Sequence, residues 1–581
     1  MTNVTWGPGV SQAPSTSYTY HVDTTGGGWP RAMATMVEPT GKWARYDYFN
    51  TANDSRGGLV QRIYRPWLDA PTSPASATTG NCHLETYDYA NNFDGSQTAP
   101  ASRTITINGT EAGKTTWTYT WSYAAANSRA RYSVAQRDYS TSSNYLTTTT
   151  IAFRPDDSVG FFQNKPHCIT RPDGTRDSYA YYYGTWNAGT QTFSQSDTGE
   201  DRLVLVLHGQ SSAGTGSTLK TSWTVGPKTW NTEPTHLFAN LSTITETVID
   251  RTGHVVFSAE NLYTGGSAME RISGAARTFN ANNLLQKEVD ITRTVAGAEV
   301  AVNYTYTAGQ LELRTDIDGA KTRNTYDDHL RLATVRTADG GSGSYPAKTQ
   351  TFTYNLGDLK ATAQECDCSP TVTTYQYETT GRLMWVQEPK PGGGTLQTSY
   401  TYNTPRQTTV NGPSGETLIT SLYYDGRIKS ETGTGRVPTT YSHAVRTYAV
   451  TRTTHHRIAT ESAYPWIEEK TDGLGRVIEE RSPQAGWSTS ANSKVVRKTH
   501  TYNATTGQLA KAAAVDEAAG NARLLPDHLY VYLDDSGYSR MGLLLKEGDD
   551  LGSNGYLDAG TTDRITLHST SFSKNTDRYN D

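Results

Sequence analysis

The segment Thr373–Val386, TTYQYETTGRLMWV, decides the fold class. Tyr375 and Tyr377 are two positions apart, and side chains at such positions share one face of an extended strand. The polar residues that follow end at Gly381, and glycine readily adopts the left-handed conformation that closes short hairpin loops. A second apolar run begins at Leu383. The segment is therefore predicted to form a strand, a glycine turn and a second strand.

The same arrangement recurs along the chain with variations. Most copies have a tyrosine, a polar or glycine-containing turn and an aliphatic residue, whereas the copy at Gly475 keeps the glycine-arginine core and the aliphatic residue. The recurring core positions are Tyr304, Tyr306, Tyr326, Tyr354, Tyr402, Tyr424, Gly426, Gly475, Tyr502 and Gly507. Successive copies are mostly separated by roughly 20 to 30 residues, which is typical of stacked repeat architectures. Because one hairpin cannot bury its tyrosine face or satisfy its outer backbone groups alone, neighbouring copies are expected to stack.

The segments YYDGRI, YQYETTGRL and DGLGRV resemble the YD (tyrosine-aspartate) repeat of RHS proteins, whose core is Tyr-Asp, a polar spacer, Gly-Arg and an aliphatic residue. The resemblance extends over residues 245–545 and, more loosely, over residues 36–185. It implies a long sheet of hairpins that spirals into a hollow shell, as in toxin cocoons, wall-associated bacterial proteins and teneurin-type receptors. The predicted fold class is all-β: stacked β-hairpin repeats spiralling into a hollow YD-repeat shell or solenoid, with an irregular β-rich N-terminal part.

Three segments are predicted from the quality of the repeats. Residues 1–240 are a divergent β-rich region with long loop insertions, residues 241–545 are the repeat array, and residues 546–581 are a C-terminal edge that is incomplete or forms assemblies. Within them, RLVLVLHG (Arg202–Gly209) is expected to be a strand buried on both faces. The alanine-rich stretch Ala510–Gly520 has helix propensity, whereas the repeat frame predicts a strand there.

The composition agrees with a β protein and excludes some partners. The chain has 37 Tyr but 11 Phe, and 19% of its residues are charged, against roughly 25% in average globular chains. A net charge of −5 offers no electrostatic footprint for nucleic acid. No apolar run approaches the ~18 residues of a membrane span, and the N-terminus lacks a signal peptide. We expect an extracellular or cell-surface protein whose leader is missing from this chain.

The four cysteines do not form an evident framework. Cys82 and Cys168 are far apart in sequence, whereas Cys366 and Cys368 are close together. Free thiols and one or two disulfides are both open, and a zinc site would need further ligands that the local sequence does not supply. Recognised nucleophile and cofactor motifs are absent from the sequence. We therefore expect no enzyme activity, no cofactor and no metal.

Three functions remain open at this stage. The first is a structural surface protein that assembles with copies of itself or with other surface proteins, as a filament or tube. The second is part of a toxin-encapsulating RHS cocoon, although the chain has no Asp-Pro dipeptide of the kind the resemblance implies at a self-cleavage site. The third is a glycan-binding adhesin in which Trp186 and Trp487 stack on sugar rings.

Overall fold

The computed structural model describes most of the chain. The described residues are 2–5, 15–22, 28–50, 55–92, 95–121, 130–155, 157, 161–196, 198–210, 217–225, 228–238, 242–263, 265, 269–295, 298–337, 348–354, 360–365, 371–378, 381–434, 436–456, 466–483, 495–517, 519–532, 543–559 and 562–568. They form 42 strands and one short 3-10 turn, Pro74–Ser76. In this part of the chain, no helix has the length and apolar character needed to span a membrane.

The first 21 strands lead from the N-terminal region into the repeats. They are β1 (Thr2–Thr5), β2 (Ser15–Tyr20), β3 (Met33–Val37), β4 (Trp43–Tyr48), β5 (Val60–Arg65), β6 (His83–Ala90), β7 (Ala99–Ile107), β8 (Thr110–Trp121), β9 (Arg131–Tyr139), β10 (Tyr145–Phe153), β11 (Pro166–Thr170), β12 (Thr175–Asn187), β13 (Thr192–Gln195), β14 (Asp201–Gln210), β15 (Ser217–Val225), β16 (Lys228–Phe238), β17 (Thr243–Ile249), β18 (Val255–Tyr263), β19 (Met269–Phe279), β20 (Leu285–Val295) and β21 (Ala298–Thr307).

The remaining strands continue the repeat array. They are β22 (Gln310–Thr315), β23 (Lys321–Tyr326), β24 (Leu332–Thr337), β25 (Lys348–Tyr354), β26 (Lys360–Glu365), β27 (Thr371–Tyr377), β28 (Leu383–Pro389), β29 (Thr395–Thr404), β30 (Gln407–Asn411), β31 (Thr417–Leu422), β32 (Ile428–Thr432), β33 (Thr439–Arg446), β34 (Ala449–His456), β35 (Trp466–Asp472), β36 (Val477–Pro483), β37 (Val495–Tyr502), β38 (Leu509–Asp516), β39 (Ala522–Arg523), β40 (Asp527–Tyr532), β41 (Leu544–Asp550) and β42 (Arg564–Leu567).

Consecutive strands pair antiparallel and form one continuous ribbon from β1 to β42. The chain order is interrupted where β14 pairs with both β12 and β17, leaving β15 and β16 as a side hairpin. The predicted all-β class is confirmed. The three-segment division stays a prediction: β14 pairs with β17 across residue 240, and β41 runs through residue 545.

The largest apolar core lies around β14. Leu203, Leu205 and Leu207 are buried and pack in a cluster with Ile244 and Phe257. The alternate positions of β14 are only partly buried, and His208 is exposed. The strand predicted for Arg202–Gly209 is thus present, but the expected burial on both faces is wrong. Because β14 has one covered and one open face, its burial follows the two-residue period of a pleated strand.

The repeat array is different, because it is a single layer. No described residue between 301 and 438 is buried. The described side chains in this range therefore all remain at least partly exposed, as in a sheet with solvent on both faces. The hairpin array is a single-layered wall and not half of a packed sandwich.

The alanine-rich stretch forms a strand. β38 pairs with β37 over its whole length and with β40 at Lys511 and Ala512. These ladders satisfy backbone groups that an isolated segment would satisfy by forming a helix. The helical alternative for this stretch is therefore wrong, and Gly520 lies in the following turn with a φ of 67°.

Candidate functional site

The segment Thr373–Val386 forms the predicted hairpin. Tyr375 pairs with Val386, and Tyr377 pairs with Leu383 across a β-bulge. The Gly381 amide donates to the Glu378 carbonyl at 2.9 Å, and Gly381 has a φ of 83°. Burial and the neighbouring Tyr375 raise the pKa of the Tyr377 hydroxyl, as expected if both tyrosines lie on one face.

A tyrosine hydroxyl joins this hairpin to the strand that follows it. Tyr402, on β29, donates to the carbonyl of Leu383, the first residue of β28, at 3.1 Å. The guanidinium of Arg382 lies 4.4 Å from the centroid of the Tyr402 ring, within the range of a cation–π contact. The tyrosine of one repeat therefore binds the glycine-arginine turn of the repeat before it.

This contact, which we call the tyrosine lock, recurs over much of the ribbon. The donor is a tyrosine at or near a strand end, and the acceptor is the first or second residue of the neighbouring strand in the previous hairpin. Besides Tyr402 to Leu383, the pairs are Tyr48 to Met33 (3.0 Å), Tyr89 to Val60 (2.9 Å), Tyr326 to Leu311 (2.8 Å), Tyr354 to Leu332 (2.8 Å) and Tyr502 to Val477 (2.9 Å). The divergent N-terminal region thus uses the same device as the array.

An acidic residue holds the arginine of the lock in place. At Tyr502, the Arg476 Nε and Nη2 atoms donate to Asp472 Oδ2 at 2.9 and 2.7 Å. Arg476 Nη1 reaches the Gly507 carbonyl at 3.1 Å, and the guanidinium lies 4.3 Å from the Tyr502 ring. Asp327, Arg331 and Tyr354 repeat this arrangement. The acidic, glycine-arginine and tyrosine positions of the sequence repeat are therefore parts of one contact.

The segment YYDGRI has a different frame from the one expected. Leu422 pairs with Ile428, and the Tyr423 amide donates to the Arg427 carbonyl at 2.8 Å. This hydrogen bond fixes the loop length, so that Leu422 occupies the strand-end position. Tyr424 lies in the turn, with Arg406 3.4 Å from its ring centroid. The structure corrects its assignment as the strand tyrosine of this repeat, whereas Gly426 keeps the turn position with a φ of 89°.

The ribbon also contacts itself far along the chain. We define the winding seam as the turns at residues 40–41, 67–70, 108–111 and 140, together with the turns that they contact at residues 406, 423–429, 446–448 and 473. These contacts join residues that are 333 to 366 positions apart. Hairpin turns at one edge of the ribbon thus meet turns at the opposite edge one winding later.

Polar contacts and one stacked cation form the first part of the seam. The Leu68 amide donates to Asp425 Oδ2 at 2.8 Å, and Lys429 Nζ lies 2.6 Å from Asp69 Oδ2. Arg427 lies over the ring of Trp67 at 3.9 Å from its centroid. Burial lowers the pKa of the Arg427 guanidinium, against the opposing effect of Asp425.

The seam continues along neighbouring turns. The Tyr448 amide donates to the Glu111 carbonyl at 2.8 Å, and the Tyr448 hydroxyl binds the Glu111 carboxylate. The Gly473 amide donates to the Ser140 carbonyl at 3.2 Å. A Cβ atom on Gly473 would lie 2.5 Å from the Tyr139 carbonyl oxygen, so the close approach of these two backbone segments requires glycine.

The structure separates the cysteine alternatives. Cys82 and Cys168 are both buried and are not joined by a disulfide, so a disulfide between them is wrong. Burial raises the pKa of Cys82 to about 11, and its Sγ donates to the Thr78 carbonyl at 3.0 Å. Cys366 and Cys368 lie outside the described residues.

The two candidate sugar-stacking tryptophans have different outcomes. Trp186 lies in strand β12, and its ring is 4.8 Å from that of Phe257. The ring therefore packs against the core around β14, which leaves less of it for a sugar. Trp487 lies outside the described residues. Glycan binding at either residue stays a prediction.

One polar network resembles a catalytic constellation and was not found from the sequence. His208 Nδ1 lies 2.7 Å from Asp177 Oδ1, and His208 Nε2 lies 3.4 Å from Thr245 Oγ1. Asp177 is also held by Arg171. Acyl transfer would additionally need backbone donors aimed at a reacting oxygen, but the amides of these strands serve the sheet ladders. The arrangement favours a structural ion pair. Among the described residues, no group of three or more His, Cys, Asp or Glu side chains could hold a metal.

Sequence reasoning identified the tyrosine and glycine-arginine positions of the repeat, but it predicted neither the contact between them that forms the lock nor the seam. The Gly-Arg pair in the repeat core was a readable signal for Arg382 and Arg476. Trp67, Glu111 and Tyr448 carry no local signal, because their partners are more than 300 residues away.

Comparisons with known proteins leave the family open. No protein-family model matches the sequence, and no curated protein shows significant similarity. The chain is similar to the structure titled "Crystal Structure of TcdB2-TccC3-Cdc42", at 12% identity and a TM-score of 0.33, over 92% of this chain and 26% of that one. It is also similar to a chain of the Photorhabdus luminescens Tc holotoxin pore, at 10% identity and a TM-score of 0.26, over 90% of this chain and 30% of that one. This chain thus spans under a third of those chains, and such TM-scores are too low to establish a shared fold or function.

Proposed function

We propose that this protein is a non-enzymatic, extracellular or surface structural protein whose YD repeats build a shell. The observation that carries the proposal is the tyrosine lock, which joins one repeat to the next from Met33 to Tyr502. A repeat protein is stabilised largely by such neighbour contacts. The tyrosine hydroxyls and strand carbonyls of the lock hold neighbouring repeats together, as expected where the wall itself is the functional unit.

The proposed role includes assembly with copies of itself. Among the described strands, β42 pairs with β41 alone, and Leu567 on β42 is largely exposed. An unpaired strand edge is a template for pairing with another chain. Repeated contact of this kind between two different surfaces gives a filament or tube unless the rotation closes a ring.

The winding seam supports a second candidate, a compartment that encloses cargo as part of a toxin cocoon. Its turn-to-turn contacts bring the ribbon back onto itself. A wall that only displays surface groups would not need this closure. The two candidates share the shell and differ in whether the enclosed space is occupied.

Negative-stain electron microscopy of the purified chain over a concentration series tests the proposal. Filaments or tubes that lengthen with concentration support assembly through strand edges. Isolated hollow particles at every concentration exclude assembly and favour the cocoon. Solid, compact particles would overturn the shell in both forms. A Leu567→Lys variant, with charge on the edge strand, is expected to shorten the filaments and leave the particles intact.

A further inference from the structure

The seam contains an ionisable group in an unusual position. His443, on β33, has its ring 6.3 Å from that of Trp67 and 6.2 Å from that of Tyr423. Its Nδ1 atom is buried and has no hydrogen-bond partner within the described part of the chain. The residue lines a concavity of about 400 Å³ between the two windings, together with Trp67, Ile107 and Val445. His443 therefore lies between the two edges of the ribbon, where it is only partly hydrated.

The charged groups around His443 disfavour a second positive charge. Arg427 is stacked on the ring of Trp67, which His443 also contacts, and Arg452 lies opposite His443 on β34. Asp425 opposes them, but it is already engaged by the Leu68 amide. The titratable and charged groups at this part of the seam are Asp69, His83, Tyr423, Asp425, Arg427, Lys429 and Arg452. Protonated His443 would thus add a cation beside two arginines.

From this geometry we propose that the winding seam is an acid-sensitive closure, which loosens when His443 becomes protonated while the hairpins themselves remain folded. Burial and Arg427 lower the pKa of His443 to about 4. In an opened seam the imidazole is hydrated, and its pKa returns towards the ordinary ~6.5. Neutral His443 therefore favours the closed seam above pH 6.5, and this stabilisation is lost as the pH falls from 6.5 towards 4.

The expected size of the effect follows from the two pKa values. At pH 5 the ratio of open to closed seam rises by about 30-fold relative to high pH, because open His443 is almost fully protonated and closed His443 is not. At pH 7 the change is only about 1.3-fold. Carboxylates ordinarily titrate below pH 5, so they change little between pH 7 and pH 5. Burial also lowers the pKa of His83, which lies within the influence of Arg427, so variants of His443 are needed to assign the effect to that residue.

Hydrogen exchange at single-residue resolution tests the proposal in the monomeric chain, so the result does not depend on whether the protein assembles. The reporters are the Leu68, Tyr448 and Gly473 amides, which donate across the seam. The control is the Gly381 amide, which donates within its own hairpin. Protection factors, corrected for the intrinsic pH dependence of exchange, are expected to fall by up to about 20-fold at the seam between pH 7 and pH 5 and to stay constant at Gly381.

Variants distinguish His443 from a general effect of acid. His443→Gln or His443→Asn should retain seam protection at pH 5, because neither side chain titrates. His528→Gln should behave as the native protein, since His528 pairs with Asp549 away from the seam. Equal loss of protection in the native protein and in either soluble His443 variant would overturn the proposal. So would an unchanged seam at pH 5 in the native protein.

Discussion

Tyrosine is used in this chain because one side chain serves two contacts. The ring packs beside the arginine of the preceding turn, and the hydroxyl reaches a carbonyl on the neighbouring strand. Phenylalanine would provide the first contact without the second. The excess of tyrosine over phenylalanine in the composition therefore has a physical reason at the level of single residues.

Tyr502→Phe should destabilise the protein by about 1 kcal/mol, the usual net value of one hydrogen bond. The lost bond is the one from the Tyr502 hydroxyl to the Val477 carbonyl. Urea unfolding monitored by circular dichroism measures the change. Tyr556→Phe is the matched control, because Tyr556 is 71% exposed and its substitution should alter stability by less than about 0.5 kcal/mol. Equal effects in the two variants would show that the lock contributes nothing.

Backbone conformation sets the turn residues. Gly475 has a φ of 80°, and nothing lies near the position of an added Cβ. Gly475→Ala should therefore cost about 1 kcal/mol through the left-handed conformation alone. Leu330 occupies the corresponding turn position with a φ of 62° and is half exposed, so Leu330→Gly should be neutral or stabilising. Thermal unfolding of both variants checks this, and a stable Gly475→Ala variant would contradict it.

At the scale of the element, the hairpin forms one unit with the carboxylate that binds its turn, as Asp472 does, and we call this acidic contact the clamp. Asp472 binds the Leu474 and Arg476 amides through Oδ1 and the Arg476 guanidinium through Oδ2. The turn and the next repeat are thus organised by one buried carboxylate. Contacts with neighbouring strands also decide the conformation of β38, since the ladders on both of its sides outweigh the helix propensity of alanine.

Asp472→Ala should destabilise the protein by about 3 kcal/mol, because it leaves the Arg476 guanidinium without its carboxylate partner. Combining it with Arg476→Ala should recover part of the loss, giving a coupling energy above about 1 kcal/mol in a double-mutant cycle. The exposed pair Arg251 and Glu200, at 3.6 Å, is the control and should show coupling of at most about 0.5 kcal/mol. Similar coupling in the two cycles would contradict the role of the clamp.

At the scale of the whole molecule, the seam turns a ribbon into a shell. A single-layered sheet has no opposite layer to limit its curvature, so contacts between windings must define its closure. These contacts involve hairpin turns, whose backbone groups are not used by the ladders. Trp67 provides the largest apolar surface in this region and is almost fully buried.

Trp67→Ala should open the seam without unfolding the hairpins, because it removes the surface on which Arg427 stacks. Small-angle X-ray scattering should show an increased radius of gyration, while far-UV circular dichroism keeps its β signal. Trp466→Ala is the control, since Trp466 begins β35 at the end opposite to the seam turn. It should lower stability and leave the dimensions unchanged. Unchanged dimensions in Trp67→Ala would mean that the seam does not hold the shell.

The sequence by itself determined the strand-turn-strand unit, the positions of most turn glycines and the stacking of repeats. These features depend on residue spacing and local backbone preference, both of which can be read along the chain. Tertiary structure alone decided three further features. Leu422, and not Tyr424, occupies the strand-end position, because the hydrogen bond from the Tyr423 amide to the Arg427 carbonyl sets the loop length. Cys82 and Cys168 remained separate thiols. The winding seam formed because the curvature accumulated over some 350 residues brings Trp67 to Arg427, and that sum over many strands is not encoded at any one of them.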